Sequence, residues 1–253
     1  MVIGLPVFAE HFAQYKDRFA VIGGTATQLH LEKAGLQSRG TKDIDVVLTV
    51  EALDSDFVAA FWHFIELGGY EPETVMEDGS EKARYYRFVK PKRDDYPAMI
   101  ELFSRAPENM PAPAEGKFRA IKGDIDLSFS AMLLDDDYYS FLMDNRKEVE
   151  GVLLANELAL IALKAYAWAQ LTDARAEGAR DATSERIKKH MNDVLQLQQL
   201  LTVGAAVKAP DKIVRNIGRL LDAVDPEKDY EQLGIFAPID EVVAGLRAAF
   251  EVA

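Results

Sequence analysis

The sequence contains no cysteine and only four histidines among its 253 residues. Without cysteine there are neither disulfides nor thiolate metal sites, which fits a cytoplasmic setting. The scarcity of histidine argues against a His-rich catalytic metal centre. Long apolar runs are missing as well, since no stretch approaches the roughly 20 residues that cross a bilayer. The first residues lack the pattern of a signal peptide because Glu10, His11 and Lys16 interrupt it. We therefore predict a cytoplasmic protein with no membrane partner.

Positive charge is also in short supply. Lys and Arg together number 29 against 42 Asp and Glu, which leaves a formal net charge of -13. Broad, non-specific nucleic-acid binding relies on many contacts between Lys or Arg and phosphate, so no DNA partner is expected. A local basic groove inside an acidic protein stays compatible with this charge.

What is present is ample material for a core. Hydrophobic residues make up 49% and charged residues 28% of the chain, enough for one large domain or two small ones. The first part alternates helices and strands, as an α/β unit does. The predicted helices are 6–17, 25–33 and 53–67, and the predicted strands are 19–22 and 43–49.

A more antiparallel stretch follows, and then helices alone. Strands are predicted at 84–89, 99–104, 118–121 and 125–129, with a loop at 105–116 and a helix at 137–149. From residue 152 only helices are expected, at 155–173, 184–201 with Ser184 as N-cap, 210–224 and 238–250. The predicted class is α+β, with an α/β domain at 1–150 and a helical domain at 151–253.

Two carboxylates stand at the start of the second strand. Asp43 and Asp45 are two positions apart, and such side chains point to the same face of a strand. Two acids on one face repel each other, and a divalent cation relieves the repulsion. Because hard oxygen ligands suit Mg²⁺, the spacing predicts a magnesium site.

The preceding strand stops at two glycines. Gly23 and Gly24 follow an apolar run and open a helix. Glycines there let the backbone approach a ligand closely, and a helix N-terminus favours phosphate. The pattern therefore predicts a phosphate-binding turn ahead of the metal-binding acids.

A Gly-Gly turn, a helix and an Asp-x-Asp pair at a strand start resemble the ground plan of polymerase-β-like nucleotidyltransferases. That chemistry uses two metal ions, and two acids rarely hold two metals. A third acid should come from a neighbouring strand, and Glu101, between Ile100 and Leu102, is the predicted third ligand. The alternative is a strand glutamate that faces solvent.

Several further motifs make the resemblance closer, and together they are similar to those of AbiEii-like nucleotidyltransferases, the toxin half of certain toxin–antitoxin pairs. The motifs cover roughly residues 18–201 and are Ile22-Gly-Gly-Thr-Ala26, Arg39-Gly-Thr-Lys-Asp-Ile-Asp45, Ile100-Glu-Leu-Phe-Ser104, Ser128-Phe-Ser-Ala-Met-Leu-Leu134, Leu163-Lys-Ala-Tyr-Ala-Trp168 and Ile187-Lys-Lys-His-Met-Asn-Asp-Val194. The resemblance implies a nucleotidyltransferase-type mixed sheet with flanking helices. It also implies that the helical region completes the active-site cleft.

The resemblance also implies roles for two residues of that helical region. Lys164 matches the family's helical lysine, placed to contact nucleotide phosphate, and Asp193 matches an acid near the active site. Lys164 is the sole cation in the apolar stretch 158–168, and a buried cation needs an anion. The alternatives are snorkelling of Lys164 at the helix edge and an ion pair of Asp193 with Lys189, four residues before it.

The sequence departs from the family pattern at two points. Minimal nucleotidyltransferases have a Gly-Ser turn, whereas the turn here is Gly-Gly, so the phosphate contact of the serine is left to Thr25 or the backbone. Glutamate rather than aspartate stands at the third-acid position, Glu101, where it can still bind a metal.

Several other charged residues have two interpretations each. Arg39 and Lys42 flank the acid pair and either neutralise phosphate or lie on the surface. Lys188, Lys189 and His190 either form a solvated face or contact RNA or phosphate. A second Asp-x-Asp, formed by residues 124–126, is the weaker choice for the catalytic pair because no glycine-opened helix precedes it.

The expected function is that of a Mg²⁺-dependent nucleotidyltransferase. It moves a nucleoside monophosphate from a nucleoside triphosphate (NTP) to a hydroxyl of an acceptor, either an RNA 3′ end such as that of tRNA or a protein side chain. The resemblance also suggests a cognate antitoxin as a partner. The alternative is a catalytically idle protein of the same fold that binds nucleotide or a regulatory partner.

Overall fold

The part of the chain that the structure describes has an α+β fold around a mixed seven-stranded sheet. The computed structural model describes residues 2–49, 55–77, 80–104, 135–202, 204 and 206–252. The strands are β1 Phe19–Ile22, β2 Asp43–Leu48, β3 Glu71–Glu77, β4 Ser80–Val89, β5 Met99–Ser104, β6 Arg146–Val149 and β7 Val152–Ala155. Their order across the sheet is β3-β4-β5-β2-β1-β7-β6.

The centre of the sheet combines parallel and antiparallel pairs. Strand β1 is antiparallel to β2 and parallel to β7, and β2 is parallel to β5. The outer pairs β3–β4, β4–β5 and β6–β7 are antiparallel. The register places Asp45 beside Glu101 of β5 and Ile22 of β1.

Helices lie on both faces of this sheet. They are α1 Leu5–His11, α2 Gly23–Lys33, α3 Ser55–Gly68, α4 Asp136–Asp144, α5 Glu157–Ala176, α6 Ser184–Gln198, α7 Asp211–Asp222 and α8 Ile239–Ala249, with short 3-10 helices at Ala13–Arg18 and Glu231–Leu233. No helix among the residues described above is both long and apolar enough to cross a membrane.

One face of the sheet is covered by an aromatic core. Phe8 of α1 contacts Phe19 of β1 edge-on, with ring centroids 5.4 Å apart, and Phe61 of α3 contacts Phe88 of β4 at 5.6 Å. Because side chains alternate along a strand, this core takes every second residue of β1, β2 and β4. The intervening residues, among them Asp45, point to the opposite face.

The opposite face carries the helices of the C-terminal region. Helix α5 packs against α6, α7 and α2, and most of its side chains are buried. The side chain of Asn156 caps α5 by accepting a hydrogen bond from the backbone N–H of Ala159 at 3.0 Å. This packing brings α5 and α6 to the side of the sheet on which Asp45 lies.

Many predicted elements are confirmed within a few residues. Strands β1, β2 and β5 and helices α3 and α5–α8 lie where the sequence placed them. Helix α2 begins earlier than predicted, at Gly23 rather than residue 25. Helix α6 is capped by Thr183, not by the predicted Ser184, since the Thr183 hydroxyl accepts from the Arg186 N–H.

Other predictions are wrong. The helix predicted at 6–17 is divided into α1 and the 3-10 turn Ala13–Arg18. The helix predicted at 137–149 ends at Asp144, and the chain then forms the hairpin of β6 and β7 around Glu150 and Gly151, both with positive φ. Strand β7 also corrects the expectation of helices alone from residue 152.

Strand β3 was not predicted, because Pro72 and several glutamates lower the strand propensity of this segment. A proline is tolerated there because β3 lies at an edge of the sheet. The predicted loop 105–116 and strands 118–121 and 125–129 lie outside the described residues, as does the motif 128–134. The division into domains near residue 150 stays a prediction, although β7, which follows it, pairs with β1.

Candidate functional site

The carboxylates of Asp43 and Asp45 lie side by side on one face of β2. Both side chains are partly exposed, whereas Ile44 between them is fully buried on the aromatic face. Within the described residues neither carboxylate has a hydrogen bond or an ion pair. Two neighbouring acids without a counter-ion in contact form an electrostatically unsatisfied pair, as a cation site requires.

Burial raises the pKa of both acids. The pKa of Asp43 is raised by desolvation, and that of Asp45 is raised to about 6 by desolvation with a further contribution from the Asp43 charge. The charges of Lys164 and Lys189 act in the opposite direction on Asp45. Ionising the two partly buried carboxyl groups therefore costs free energy, and a bound cation would offset this cost.

Gly23 leaves the space that the Asp45 carboxylate fills. A Cβ on Gly23 would lie 1.9 Å from Asp45 Oδ2, and the φ of Gly23 is +68°. Both the contact and the left-handed backbone require glycine at this position. The Gly23–Asp45 contact thus places the N-terminus of α2 directly against one of the two acids.

The connection between α2 and β2 contacts the N-terminal part of α2 through several side chains. The Thr25 hydroxyl donates to the Asp43 carbonyl at 2.5 Å, and the backbone N–H of Thr41 donates to Gln28 Oε1 at 2.9 Å. A Cβ on Gly24 would lie 3.2 Å from Thr41 Oγ1. Thr25 is fully buried, and through its bond to the Asp43 carbonyl its hydroxyl positions the start of β2.

A buried ion pair joins α5 to α6 beside the acids. Lys164 Nζ lies 2.5 Å from Asp193 Oδ2, and each side chain is 3% exposed. The Arg39 guanidinium, on the α2–β2 connection, donates to the same oxygen at 3.2 Å. Burial alone would raise the pKa of Asp193, but the Lys164 and Arg39 charges hold it below its ordinary value.

These contacts decide between the alternatives for Lys164 and Asp193. Lys164 is buried and does not snorkel to solvent. Asp193 pairs with Lys164 and Arg39, and no ion pair joins it to Lys189 within the part of the chain that the structure describes.

Lys189 adds a third cation to this side of the site. Its side chain lies close enough to Arg39 and Lys164 for their charges to lower its pKa, in addition to the larger effect of desolvation. Desolvation also lowers the pKa of the next residue, His190, to about 3, with the Lys164 charge as the second cause. Cations held together against their repulsion are typical of an anion site.

Glu101 lies beside Asp45 in the sheet but is bonded elsewhere. Its Oε1 accepts from Arg87 Nε at 3.0 Å and from Arg87 Nη2 at 2.6 Å. The third nitrogen of the guanidinium, Nη1, donates to Glu73 Oε2 at 3.0 Å. Burial alone would lower the pKa of Arg87, but the two glutamates raise it above its ordinary value. The alternative of a solvent-facing Glu101 is wrong, since this residue is 8% exposed.

The structure thus gathers most of the predicted residues in one place. One side of the sheet carries Asp43, Asp45 and Glu101, with Gly23 in contact with Asp45. Lys164 faces this side from α5, and it is bonded to Asp193, which also accepts from Arg39. Lys42 is exposed and its carbonyl accepts from the Ala98 N–H at 2.8 Å. The second Asp-x-Asp, at residues 124–126, lies outside the described residues.

The donor set fits one hard cation at Asp43 and Asp45, because both carboxylates share a face and neither has a partner among the described residues. No cluster of three or more His, Asp or Glu side chains arranged to hold a metal is found in the described ranges. Glu101, the predicted third ligand, is turned to Arg87 instead.

The sequence did not single out Arg87, Gln28 or Thr41. A cross-strand pair of Arg87 with Glu101 needs the register of β4 on β5, which no local pattern contains. Comparisons with protein-family models, with curated proteins and with solved structures found no match for this chain.

Proposed function

We propose that this protein is a Mg²⁺-dependent nucleotidyltransferase that moves a nucleoside monophosphate from an NTP to an acceptor hydroxyl. The observation that carries the proposal is the pair Asp43 and Asp45 on one strand face, which has no partner within the described part of the chain. The pair contacts a helix terminus that begins with glycine and lies opposite three gathered cations. An NTP binds together with Mg²⁺, so its site needs carboxylates that hold the metal and cations that bind the phosphates. Here the two kinds of group lie on elements that face each other.

The two halves of the site would take two parts of the nucleotide. Asp43 and Asp45 would hold Mg²⁺, which when bound neutralises phosphate charge and orients the triphosphate. Lys189 and Arg39 would face the phosphate oxygens, and the first N–H groups of α2 would add donors. Lys164 would keep its bond to Asp193, and its positive charge would act on the phosphates without direct contact.

The reaction is a displacement at the α-phosphorus. The acceptor oxygen forms a bond to that phosphorus as the bond to pyrophosphate breaks, and the hydroxyl proton is released to water. The chain's residues bind and align the nucleotide, and alignment contributes a large part of such a rate enhancement.

The test is transfer of label. The wild-type chain, Asp45→Asn and, as a matched control, Asp95→Asn are incubated with each α-labelled NTP, Mg²⁺ and cellular RNA or protein. Asp95 lies on an exposed loop and pairs with Arg93. We expect label on a macromolecule with wild type and the control and at least 100-fold less with Asp45→Asn. Equal transfer by Asp45→Asn contradicts the assignment.

The same assay addresses the acceptor and the partner. RNase treatment separates an RNA 3′ end, such as that of tRNA, from a protein side chain as the labelled molecule. A cognate antitoxin, which the toxin–antitoxin resemblance suggests, would be a second protein that suppresses the transfer.

A second candidate function has an observation of its own. Glu101 is bonded to Arg87 by two hydrogen bonds, which favours a catalytically idle protein that binds nucleotide or a regulatory partner. Calorimetry with a non-hydrolysable NTP discriminates between the two functions. An affinity that does not change when Mg²⁺ is removed supports the idle protein, and an affinity that falls at least tenfold supports the enzyme.

A further inference from the structure

We infer that this site binds one divalent cation and that Arg87 takes the place of a second. The inference rests on the proposed function, since it assumes that Asp43 and Asp45 hold a metal. It differs from that function in assigning the third acid, Glu101, to an internal cation rather than to a metal. Arg87 is then a positioning residue that sets the metal stoichiometry of the site.

The geometry of three adjacent strands carries the inference. Asp45 of β2, Glu101 of β5 and Arg87 of β4 are consecutive partners in the register and share one face of the sheet. In such a row the side chains of neighbouring strands are in lateral contact distance. The Glu101 carboxylate therefore lies between two neighbours, Asp45 on one side and Arg87 on the other. Its hydrogen bonds go to the Arg87 guanidinium.

The bond between Arg87 and Glu101 is of a strong kind. Two N–H donors of one planar guanidinium converge on Glu101 Oε1, at 3.0 and 2.6 Å. Bonds between charged partners are stronger than neutral ones, and the rigid fork of arginine loses little freedom in making them. The side chains of Arg87 and Glu101 are 16% and 11% exposed, so water competes little for either.

Arg87 is also held from its other side. Its Nη1 bonds Glu73 Oε2 at 3.0 Å, so the guanidinium is anchored between β3 and β5. A metal that took Glu101 as a ligand would leave the arginine charge beside the metal, where the two cations repel. The fixed guanidinium thus disfavours a second metal both by binding its ligand and by its charge.

Counting bound Mn²⁺ tests the inference. Each protein is mixed with an equimolar non-hydrolysable NTP analogue, and free Mn²⁺ is followed by electron paramagnetic resonance, with the analogue alone titrated in parallel. We expect one Mn²⁺ per complex for wild type. Arg87→Met should bind two, because it removes the two bonds that hold Glu101 Oε1 away from Asp45, and Arg87→Met combined with Glu101→Gln should return to one.

Arg93→Met is the matched control. Arg93 makes a similar two-donor contact, to Asp95 at 3.0 and 2.7 Å, on an exposed loop. Its substitution removes the same charge, and we expect one Mn²⁺ per complex. If Arg87→Met lost its fold, as judged by far-ultraviolet circular dichroism, Glu101→Gln in the otherwise unchanged chain would serve. It should also bind one Mn²⁺, since Glu101 is not a ligand.

The outcomes separate the inference from the proposed function. Two Mn²⁺ in the wild-type complex, one in a folded Arg87→Met variant, or a change of the count in Glu101→Gln would overturn the role of Arg87 and leave the nucleotidyltransferase standing. Failure of the wild-type chain to bind Mn²⁺ with or without the analogue would overturn the proposed metal site and the inference with it.

Discussion

Lys164 and Asp193 are joined by a salt bridge of 2.5 Å between Nζ and Oδ2, with each side chain 3% exposed. The two residues come from different helices, α5 and α6. Arg39, on the connection before β2, reaches the same aspartate. One buried carboxylate therefore links the helical region to the segment that leads into the proposed metal site, and its loss should affect stability and nucleotide binding together.

Breaking this salt bridge from one side should be costly. In Lys164→Met the Asp193 carboxylate stays buried without its main partner, and removal of one member of a buried pair costs about 3–5 kcal/mol of unfolding free energy. We expect a loss of this size in urea unfolding at pH 7. A change below about 1 kcal/mol would show that the two groups do not depend on each other in solution.

Removing both charges should restore much of the stability. In Lys164→Met combined with Asp193→Leu both charges of the buried pair are removed, and apolar replacements of buried pairs are often neutral or stabilising. Nucleotide affinity should stay low in this variant, because the charge of Lys164 is absent. If the double variant regains stability but not nucleotide affinity, the structural role of the salt bridge is separate from the role of the Lys164 charge in binding. Arg93→Met, which breaks a pair on an exposed loop, is the control and should change stability little.

Two glycines with similar positive φ angles allow the Gly23–Asp45 contact to be tested. Gly23 and Gly35 have φ of +68° and +74°, but a Cβ would strike Asp45 Oδ2 at 1.9 Å only in the first and meets nothing within 4 Å in the second. Alanine in the left-handed region costs about 1–2 kcal/mol. Gly35→Ala should show this loss alone. Gly23→Ala should lose more and also bind Mn²⁺ at least tenfold more weakly in calorimetry, whereas equal Mn²⁺ affinities in the two variants would contradict the contact.

The local half of the site could be predicted from the sequence. The two-residue period of a strand places Asp43 and Asp45 on one face without any knowledge of the fold. A double glycine after an apolar run likewise predicts a helix opening, although the group that the structure places against Gly23 is the Asp45 carboxylate, which the sequence did not suggest. These features depend on neighbours in the sequence, and they are found where they were expected.

The pairing of distant residues could not be predicted in this way. Lys164 and Asp193 were both predicted to lie at the site, but not as partners of each other. The sequence suggested phosphate for Lys164, and for Asp193 a place near the active site or, as the alternative, an ion pair with Lys189. Only the packing of α5 on α6 brings the two residues together. The partner of Glu101 depends on the register of β4 against β5. The edge strands β3 and β6 were missed because they are short of apolar residues, as edge strands often are.

Asp45 should make the metal-free protein less stable as the pH rises. Its pKa is raised from 3.8 to about 6 in the folded chain, so folding favours the neutral form. The stabilisation from the neutral carboxyl is complete below the unfolded pKa and is lost as the pH rises through about 6. Asp45→Asn should therefore match wild type near pH 4 and have the higher Tm at pH 7.5.

The size of this effect is modest and depends on Mg²⁺. Each pKa unit corresponds to about 1.4 kcal/mol, and a chain of this size gains roughly 2–4 °C in Tm per kcal/mol. Solvent on the partly exposed side chain reduces the full value, so a gain of a few degrees is expected. Millimolar Mg²⁺ should close the gap by stabilising wild type alone. A Tm of Asp45→Asn below that of wild type at pH 7.5 without metal would contradict the account.

His190 should limit stability on the acid side. Its pKa is lowered from 6.5 to about 3, first by burial and then by the Lys164 charge, so the folded chain holds the neutral ring. Stability is complete above the unfolded pKa and falls as the pH drops from 6.5 toward 3, at up to about 1.4 kcal/mol per unit. His190→Gln has no proton to take up at that position. The difference in unfolding free energy between wild type and His190→Gln, measured in urea at pH 7.5, 5.5 and 4.5, should therefore shift toward the variant with falling pH. The exposed His63→Gln controls for the loss of an imidazole ring. A difference for His190→Gln that stays constant over the three pH values would contradict the expected cost of protonating the buried ring beside Lys164.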